Sequence, residues 1–152
     1  MHRYTARVEW HRDGSEFLDN RYARRHSWTF DGGLTVIASS SPQVVPVPLS
    51  DPAAIDPEEA LVAAASSCHM LWFLSLAARR GLIVDRYVDD AWATMGKDAD
   101  GRIALTKITL RPRVEFAAGE PSRDELASLH EAAHDSCFIA NSLKTPIVIE
   151  HD

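Results

Sequence analysis

Cys68 and Cys137 are the first residues of this chain whose side chains could do chemistry. A deprotonated thiol is a strong nucleophile and two thiols can form a disulfide, so such a pair is found in many redox proteins. Two cysteines are too few for the disulfide framework of a secreted protein. They are therefore either redox-active residues or small apolar residues of the core, and their type and number leave both interpretations open.

The segment His130-Glu131-Ala132-Ala133-His134 is a second candidate, because it matches the H-E-x-x-H pattern of zinc proteases. On a helix, its two histidines lie one turn apart and could hold a metal ion together. A catalytic zinc also needs a third protein ligand, and after His134 only Glu150 or Asp152 offers a distant carboxylate. A zinc hydrolase therefore remains an alternative hypothesis.

The element that must position Cys68 is one long helix, predicted over residues 56–80. Asp56 is a favourable N-cap, Pro57 suits the first helical position, and Glu59 can close a capping box. Gly81 is a typical helix stop. Apolar residues recur at the spacing of one helix face and predict a buried stripe. The stripe consists of Leu61, Ala64, Ala65, Cys68, Leu71, Trp72, Ser75 and Ala78.

Two further details of this helix bear on its packing. His69 lies 100° round the helix from Cys68, so we expect its ring to point away from the core face. Residues 63–67 are all alanine or serine, and small side chains allow another backbone to approach closely.

The other segments predict strands and one more helix. Alternating or continuous apolar patterns predict strands over residues 4–10, 27–30, 34–38, 83–95, 102–116 and 145–150. Within 102–116 the apolar positions change parity, which requires a bulge near Thr106 and Lys107. Ser122 and Glu125 form a capping box for a helix that runs to about residue 136. This order predicts a single domain of the α+β class over residues 1–152.

The net charge of the chain bears on the classes of partner that it could bind. A net charge of −6 argues against nucleic acid or an anionic membrane as the main partner. The chain has no run of 18 apolar residues, and its first residues lack the apolar core of a signal peptide. We therefore expect a cytoplasmic protein that neither binds nucleic acid nor spans a membrane.

Four segments resemble the OsmC/Ohr family of osmotically induced and organic-hydroperoxide-resistance thiol peroxidases. They are NRYARRHSW at 20–28, DPEEA at 56–60, AASSCHM at 64–70 and CFIANS at 137–142. The most specific feature is a Pro-Glu pair followed, ten residues after Glu58, by Cys68 on a helix of small residues, with Cys137 much later. The resemblance implies an OsmC-like fold, in which antiparallel sheets pack around a long central helix in an intertwined homodimer.

The same resemblance implies a role for four residues. Cys68 matches the peroxidatic cysteine of the family, Cys137 the resolving cysteine, and Glu58 the glutamate of the site. Arg24 is the best match to the family's arginine, with Arg25 as its rival. The implied reaction reduces an organic hydroperoxide to an alcohol through a sulfenic acid and a Cys68–Cys137 disulfide, which an external dithiol reduces. The family pattern implies neither a cofactor nor a metal.

The spacing of Glu58 and Cys68 has a geometric consequence. Ten residues of helix separate them by about 15 Å along the axis, so a straight helix cannot bring the carboxylate to its own cysteine. We therefore expect a homodimer with two shared sites, packed through the small residues 63–67.

Three aromatic residues could border the site, and two alternative functions remain open. Trp28, Trp72 and Phe138 could form an apolar wall or belong to the core. Apart from a zinc hydrolase with His130, Glu131 and His134, the remaining alternative is a non-enzymatic binding protein of the same fold.

Overall fold

The structure is a computed structural model that describes residues 1–151, and it divides into two compact units. The first unit is Met1–Ala60 and the second is Leu61–Asp152. One long helix, α1, begins in the first unit and continues through the second. Helices and mainly antiparallel sheets make up the fold, which confirms the α+β class.

The first unit contains one antiparallel sheet of three strands. Its strands are β1 (Ala6–Glu9), β2 (His26–Phe30) and β3 (Thr35–Ala38), in that order across the sheet. The turn between β2 and β3 contains Gly33 at a φ of 86°, a conformation that glycine adopts without strain. All three strands lie where the sequence predicts strands.

Helix α1 (Pro57–Arg79) begins and ends as its sequence predicts. The Asp56 side chain accepts from the Glu59 backbone N–H at 2.8 Å, and the Glu59 carboxylate accepts from the Asp56 N–H at 2.8 Å. At the other end, the Leu82 N–H donates to the Ala77 carbonyl across Gly81, whose φ is 76°. Helix α1 is long and apolar enough to cross a membrane. The core helices of soluble proteins also meet these two criteria.

The buried stripe of α1 differs from the predicted one. Ala65, His69, Phe73 and Ala77 are buried, whereas Leu71 is 61% exposed. The prediction that His69 points away from the core is therefore wrong. Because α1 is apolar on most sides, hydrophobic periodicity alone defines its buried face poorly. Among residues 1–151, Leu71 is the one large apolar residue of α1 that is exposed.

The second unit contains two sheets. A two-stranded antiparallel sheet pairs β4 (Val84–Asp89) with β7 (Pro112–Phe116). In the other, β6 (Ile103–Leu110) lies between β5 (Trp92–Lys97), which is antiparallel to it, and β8 (Ile147–Ile149), which is parallel. The register of β5 and β6 shifts opposite Thr106, which confirms the predicted bulge.

The two long strands predicted over 83–95 and 102–116 are each divided. The first breaks between β4 and β5, the second at Arg111, between β6 and β7. Pro112 has no N–H to continue a ladder, and the Arg111 N–H donates to the Asp89 carboxylate at 2.6 Å. The first segment passes from the sheet of β4 and β7 to the sheet of β5 and β6 after Asp89, and the second passes back at Arg111.

Two further helices complete the second unit. Helix α2 (Arg123–Ser136) begins with the predicted Ser122–Glu125 capping box. Its inward residues Leu129 and Ala133 pack with Phe73 and Ala77 of α1 in one core cluster. The short helix α3 (Phe138–Ser142) follows directly, and Cys137 lies at the junction of α2 and α3.

Candidate functional site

Cys68 and Cys137 are neighbours in the second unit, and both are free thiols. Cys68 projects half-buried from the middle of α1, whereas Cys137 is 1% exposed. Burial raises the pKa of the Cys137 thiol, and its hydrogen bond to the Cys68 sulfur raises that pKa further. Cys137 therefore keeps its proton at neutral pH, and Cys68 is the more accessible sulfur of the two.

The local structure at Cys137 fixes the position of its sulfur. Cys137 ends α2 and is also the N-cap of α3, where its sulfur accepts a hydrogen bond from the Ala140 N–H at 3.4 Å. The backbone N–H groups of Ala140 and Ile139 favour the thiolate and so lower the pKa of Cys137, against the stronger effect of burial. The sulfur is thus held by the backbone on one side and by Cys68 on the other.

An aromatic pair accompanies the two thiols. Trp72 lies one helical turn beyond Cys68 on α1, and Phe138 directly follows Cys137. Their rings meet edge to face with centroids 5.4 Å apart, and Phe138 is 68% exposed. The two rings thus join α1 to α3, while their role as an apolar wall stays a prediction. Trp28 belongs to the first unit, where its indole N–H donates to His26 at 2.9 Å.

The guanidinium of Arg24 is fixed within the first unit. It donates to the backbone carbonyls of Asn20 and Tyr22 and, at 2.9 Å, to the Asn20 side-chain oxygen. It also lies over the Tyr22 ring, 3.7 Å from the centroid. The Phe17 ring in turn stacks on the Tyr22 ring, with centroids 4.7 Å apart. Arg25 instead forms an ion pair with Asp51.

Glu58 and Glu59 have different roles at the start of α1. Glu59 closes the capping box, as described above. Glu58 is half-buried, and its Oε2 atom is buried without a hydrogen-bond partner among residues 1–151. A buried carboxylate oxygen without a hydrogen-bond partner is costly.

The histidines of the H-E-x-x-H segment lie in a buried cluster with His69. The His130 Nδ1 atom is hydrogen-bonded to the His69 Nε2 atom at 3.0 Å, and each residue is 1% exposed. Burial lowers the pKa of His69 to about 4 and that of His130 to about 3, so both rings are neutral at pH 7. His134 lies near His69, and the His151 ring stacks on His130 at 5.0 Å.

This cluster does not have the geometry of a zinc site. Within residues 1–151, no three His, Cys, Asp or Glu side chains are arranged to hold a metal ion. The Nδ1 atom of His130 is bound to His69, whereas its Nε2 atom has no hydrogen-bond partner among residues 1–151. Asp152, one of the two carboxylates considered as a distant ligand, lies outside the described residues.

Sequence reasoning missed His69, His151 and Tyr22 as members of these arrangements. The helical periodicity predicts the wrong face for His69. His151 is distant from His130 in the sequence, and only the folded chain brings their rings together. Tyr22 offered a signal, because an aromatic residue two positions before an arginine can place its ring under the guanidinium.

Known proteins match both the sequence and the fold. A family model described as OsmC-like protein matches residues 50–152. An OsmC-like protein of unknown function from Vibrio cholerae is 49% identical, with a TM-score of 0.97 over 100% of both chains. An organic hydroperoxide resistance protein from Legionella pneumophila has a TM-score of 0.71 at 12% identity, with 99% of this chain and 96% of that chain covered.

A further structure extends the set. The organic hydroperoxide resistance protein OhrB of Bacillus subtilis has a TM-score of 0.66 at 15% identity, with 99% of this chain and 97% of that chain covered. At such identities the last two comparisons show a common fold. No curated protein matches the sequence.

Proposed function

The chain belongs to the OsmC-like protein family, and on this premise we propose that it is a cysteine-dependent peroxidase that reduces organic hydroperoxides to alcohols. The proposal depends on one observation: Cys68 and Cys137, remote in sequence, are neighbouring free thiols. Two proteins of the same fold are named organic hydroperoxide resistance proteins, and their names supply the substrate class.

The proposed reaction has three steps. The Cys68 thiolate attacks the terminal oxygen of the hydroperoxide, the O–O bond breaks, and the alkoxide takes up a proton and leaves as the alcohol. Cys68 is now a sulfenic acid. The Cys137 sulfur attacks the Cys68 sulfur, a disulfide forms, and the hydroxyl group leaves with the Cys137 proton as water. An external dithiol then restores both thiols by exchange, as a reducing cytoplasm would allow.

The surroundings of the thiols support an organic substrate. Trp72 and Phe138 offer an aromatic surface beside the sulfurs, and the exposed Phe138 ring can contact an alkyl or aryl group. Burial of that group would favour an organic hydroperoxide over hydrogen peroxide, which has no apolar surface to bury.

Arg24 and Glu58 complete the proposed site from a second copy of the chain. The guanidinium would stabilise the Cys68 thiolate, and the Glu58 carboxylate would hold the guanidinium. The unpaired Oε2 atom of Glu58 and the exposed Leu71 side chain of α1 support a homodimer with shared sites.

Thiol titration tests the redox proposal. After one equivalent of cumene hydroperoxide, the protein should lose both free thiols and release one equivalent of cumyl alcohol. The Cys137→Ser variant is the matched control, because it should release the same alcohol and stop at a sulfenic acid on Cys68. Retention of both thiols by the unaltered protein would instead favour a non-enzymatic binding protein.

Mixed dimers test the sharing of sites between two chains. Cys68→Ser and Glu58→Ala chains should each be inactive alone, and mixing them should restore one complete site per heterodimer. Mass spectrometry must first show that heterodimers form. Inactive heterodimers would contradict sharing while leaving the thiol chemistry intact.

A further inference from the structure

A cavity of about 250 Å³ opens in the second unit between β7 and α2, and neither cysteine lines it. Its walls include the apolar side chains of Val114, Phe116 and Leu126, together with the rings of His130 and His151. An apolar cavity of roughly 150 Å³ is enough for benzene. This cavity therefore has room for one six-membered ring with a small substituent.

Two buried ring nitrogens of the lining residues, His130 Nε2 and His151 Nδ1, have no hydrogen-bond partner among residues 1–151. His130 is 1% exposed, and its Nδ1 atom is taken by the hydrogen bond to His69. Its Nε2 atom is buried and has no hydrogen-bond partner among residues 1–151. Leaving such an atom unpaired costs about 1–3 kcal/mol, so a ligand that supplies the missing hydrogen bond gains that free energy.

The His69–His130 pair determines what this atom can bind. Both rings are neutral at pH 7, because burial lowers both pKa values. If His69 donates to His130, the Nε2 atom of His130 carries a proton and is a donor. If His130 donates to His69, the same atom is an acceptor. A hydroxyl group suits both tautomers, because it donates and accepts.

The charges at the mouth of the cavity disfavour an ionic ligand. Arg113 is exposed and already paired with Asp90 at 2.7 Å, and Glu120 is a further exposed carboxylate. Among the described lining residues an anion would therefore meet no unpaired cationic side chain of Lys or Arg. A cation would have to leave water for a cavity whose only carboxylate among the described lining residues, that of Glu120, is exposed at the mouth, which is costly.

We propose that this cavity binds a small uncharged aromatic molecule with a hydroxyl group, such as a phenol, with its ring between Phe116 and Leu126 and its hydroxyl on His130. The site is separate from the thiol pair and does not depend on peroxidase activity.

Phenol itself is the probe that tests the site. Calorimetric titration of the full chain should show saturable binding, and long-range ¹H–¹⁵N spectra should show that the His130 ring nitrogens shift. Benzene, which lacks the hydroxyl, should bind about tenfold more weakly, the factor that corresponds to one hydrogen bond. Benzoate should also bind more weakly than phenol.

Two substitutions at one position separate the cavity from general surface binding. Leu126→Trp should fill the space and abolish phenol binding, whereas Leu126→Met, of similar volume, should retain it. His130→Phe keeps the ring and should bind phenol and benzene equally. Circular dichroism must show that each variant is folded.

Several results would overturn the proposal. Absence of phenol binding up to its solubility, unchanged His130 signals on binding, or full binding by a folded Leu126→Trp variant would remove the site. Tighter binding of benzoate than of phenol would refute an uncharged ligand.

Discussion

Cys68 and His69 are consecutive residues of α1, and they form two chemically different pairs. The half-buried Cys68 meets Cys137 at the end of α2, and the buried His69 meets His130 within α2. The 100° rotation between consecutive helical residues accounts for the difference. A thiol pair with one half-buried member, Cys68, can react with a substrate, whereas a neutral buried histidine pair forms part of the packed interior.

This comparison shows why the H-E-x-x-H segment is misleading. The residue types and their helical spacing satisfy the zinc pattern, but among residues 1–151 no three His, Cys, Asp or Glu side chains are arranged to hold a metal ion. The cysteines match a pattern that spans two helices and the strands between them. A long-range pattern includes more of the fold, and the structure brings these two thiols together.

Replacement of the accessible thiol should produce the largest effect. Cys68→Ser should lower hydroperoxide turnover at least about a thousandfold, because serine is a far weaker nucleophile at neutral pH. Coupled consumption of a dithiol measures the rate. His69→Asn, the neighbouring control on α1, should retain most of the turnover in whatever fraction folds. Equal losses in both variants would abolish the contrast between the two pairs.

Replacement of a buried histidine should mainly reduce stability. His130→Leu removes the ring that packs on Phe73 at 4.5 Å and leaves the His69 Nε2 atom without its partner. We expect the free energy of unfolding to fall by about 2–4 kcal/mol in urea, with turnover per folded molecule within twofold of the unaltered chain.

A double variant then measures the coupling of the pair. His69→Leu combined with His130→Leu should lose less stability than the two single changes added together. Strict additivity would show that the hydrogen bond between the rings contributes nothing.

Acid should weaken the fold through the same pair. Both folded-state pKa values, about 4 and about 3, lie below the unfolded value of 6.5. The unfolded chain therefore binds protons first, so stability is full above pH 6.5 and falls as the pH drops toward 4. Between pH 7 and 5 each histidine should cost about 2 kcal/mol. Urea unfolding at several pH values measures this loss, which should be smaller in the double variant.

The smallest effect is expected at Glu131, the general base of the zinc hypothesis. Its side chain is exposed on α2, so Glu131→Gln should change the free energy of unfolding by less than about 0.5 kcal/mol. Hydroperoxide turnover should be unchanged. A zinc content near one per chain that disappears in His134→Ala would instead restore the hydrolase hypothesis.

Features set by neighbouring residues could be predicted from the sequence. Both capping boxes, the glycine stop of α1 and the bulge opposite Thr106 follow from residues within a few positions of each other. The family resemblance identified the two cysteines, which the structure brings together. The prediction of a single domain over 1–152 stays a prediction, as do the roles of Arg24 and Glu58.

Features set by distant contacts could not be predicted in the same way. The face of α1 that is buried depends on which elements cover it, and the apolar stripe alone was one residue off at Cys68 and His69. The parallel pairing of β8 with β6 and the contact of His151 with His130 join segments far apart in the chain. No local pattern records such contacts.

One atom, the Cys137 sulfur, links covalent chemistry to the shape of the cleft. It caps the start of α3 by accepting a hydrogen bond from the Ala140 N–H, and the next residue is the exposed Phe138. A new bond to this sulfur would redirect its lone pairs and so alter the first turn of a five-residue helix. If the protein follows the proposed peroxidase cycle, the aromatic surface at Phe138 would therefore differ between its reduced and its disulfide form, and the disulfide form would not present the same opening to a second peroxide.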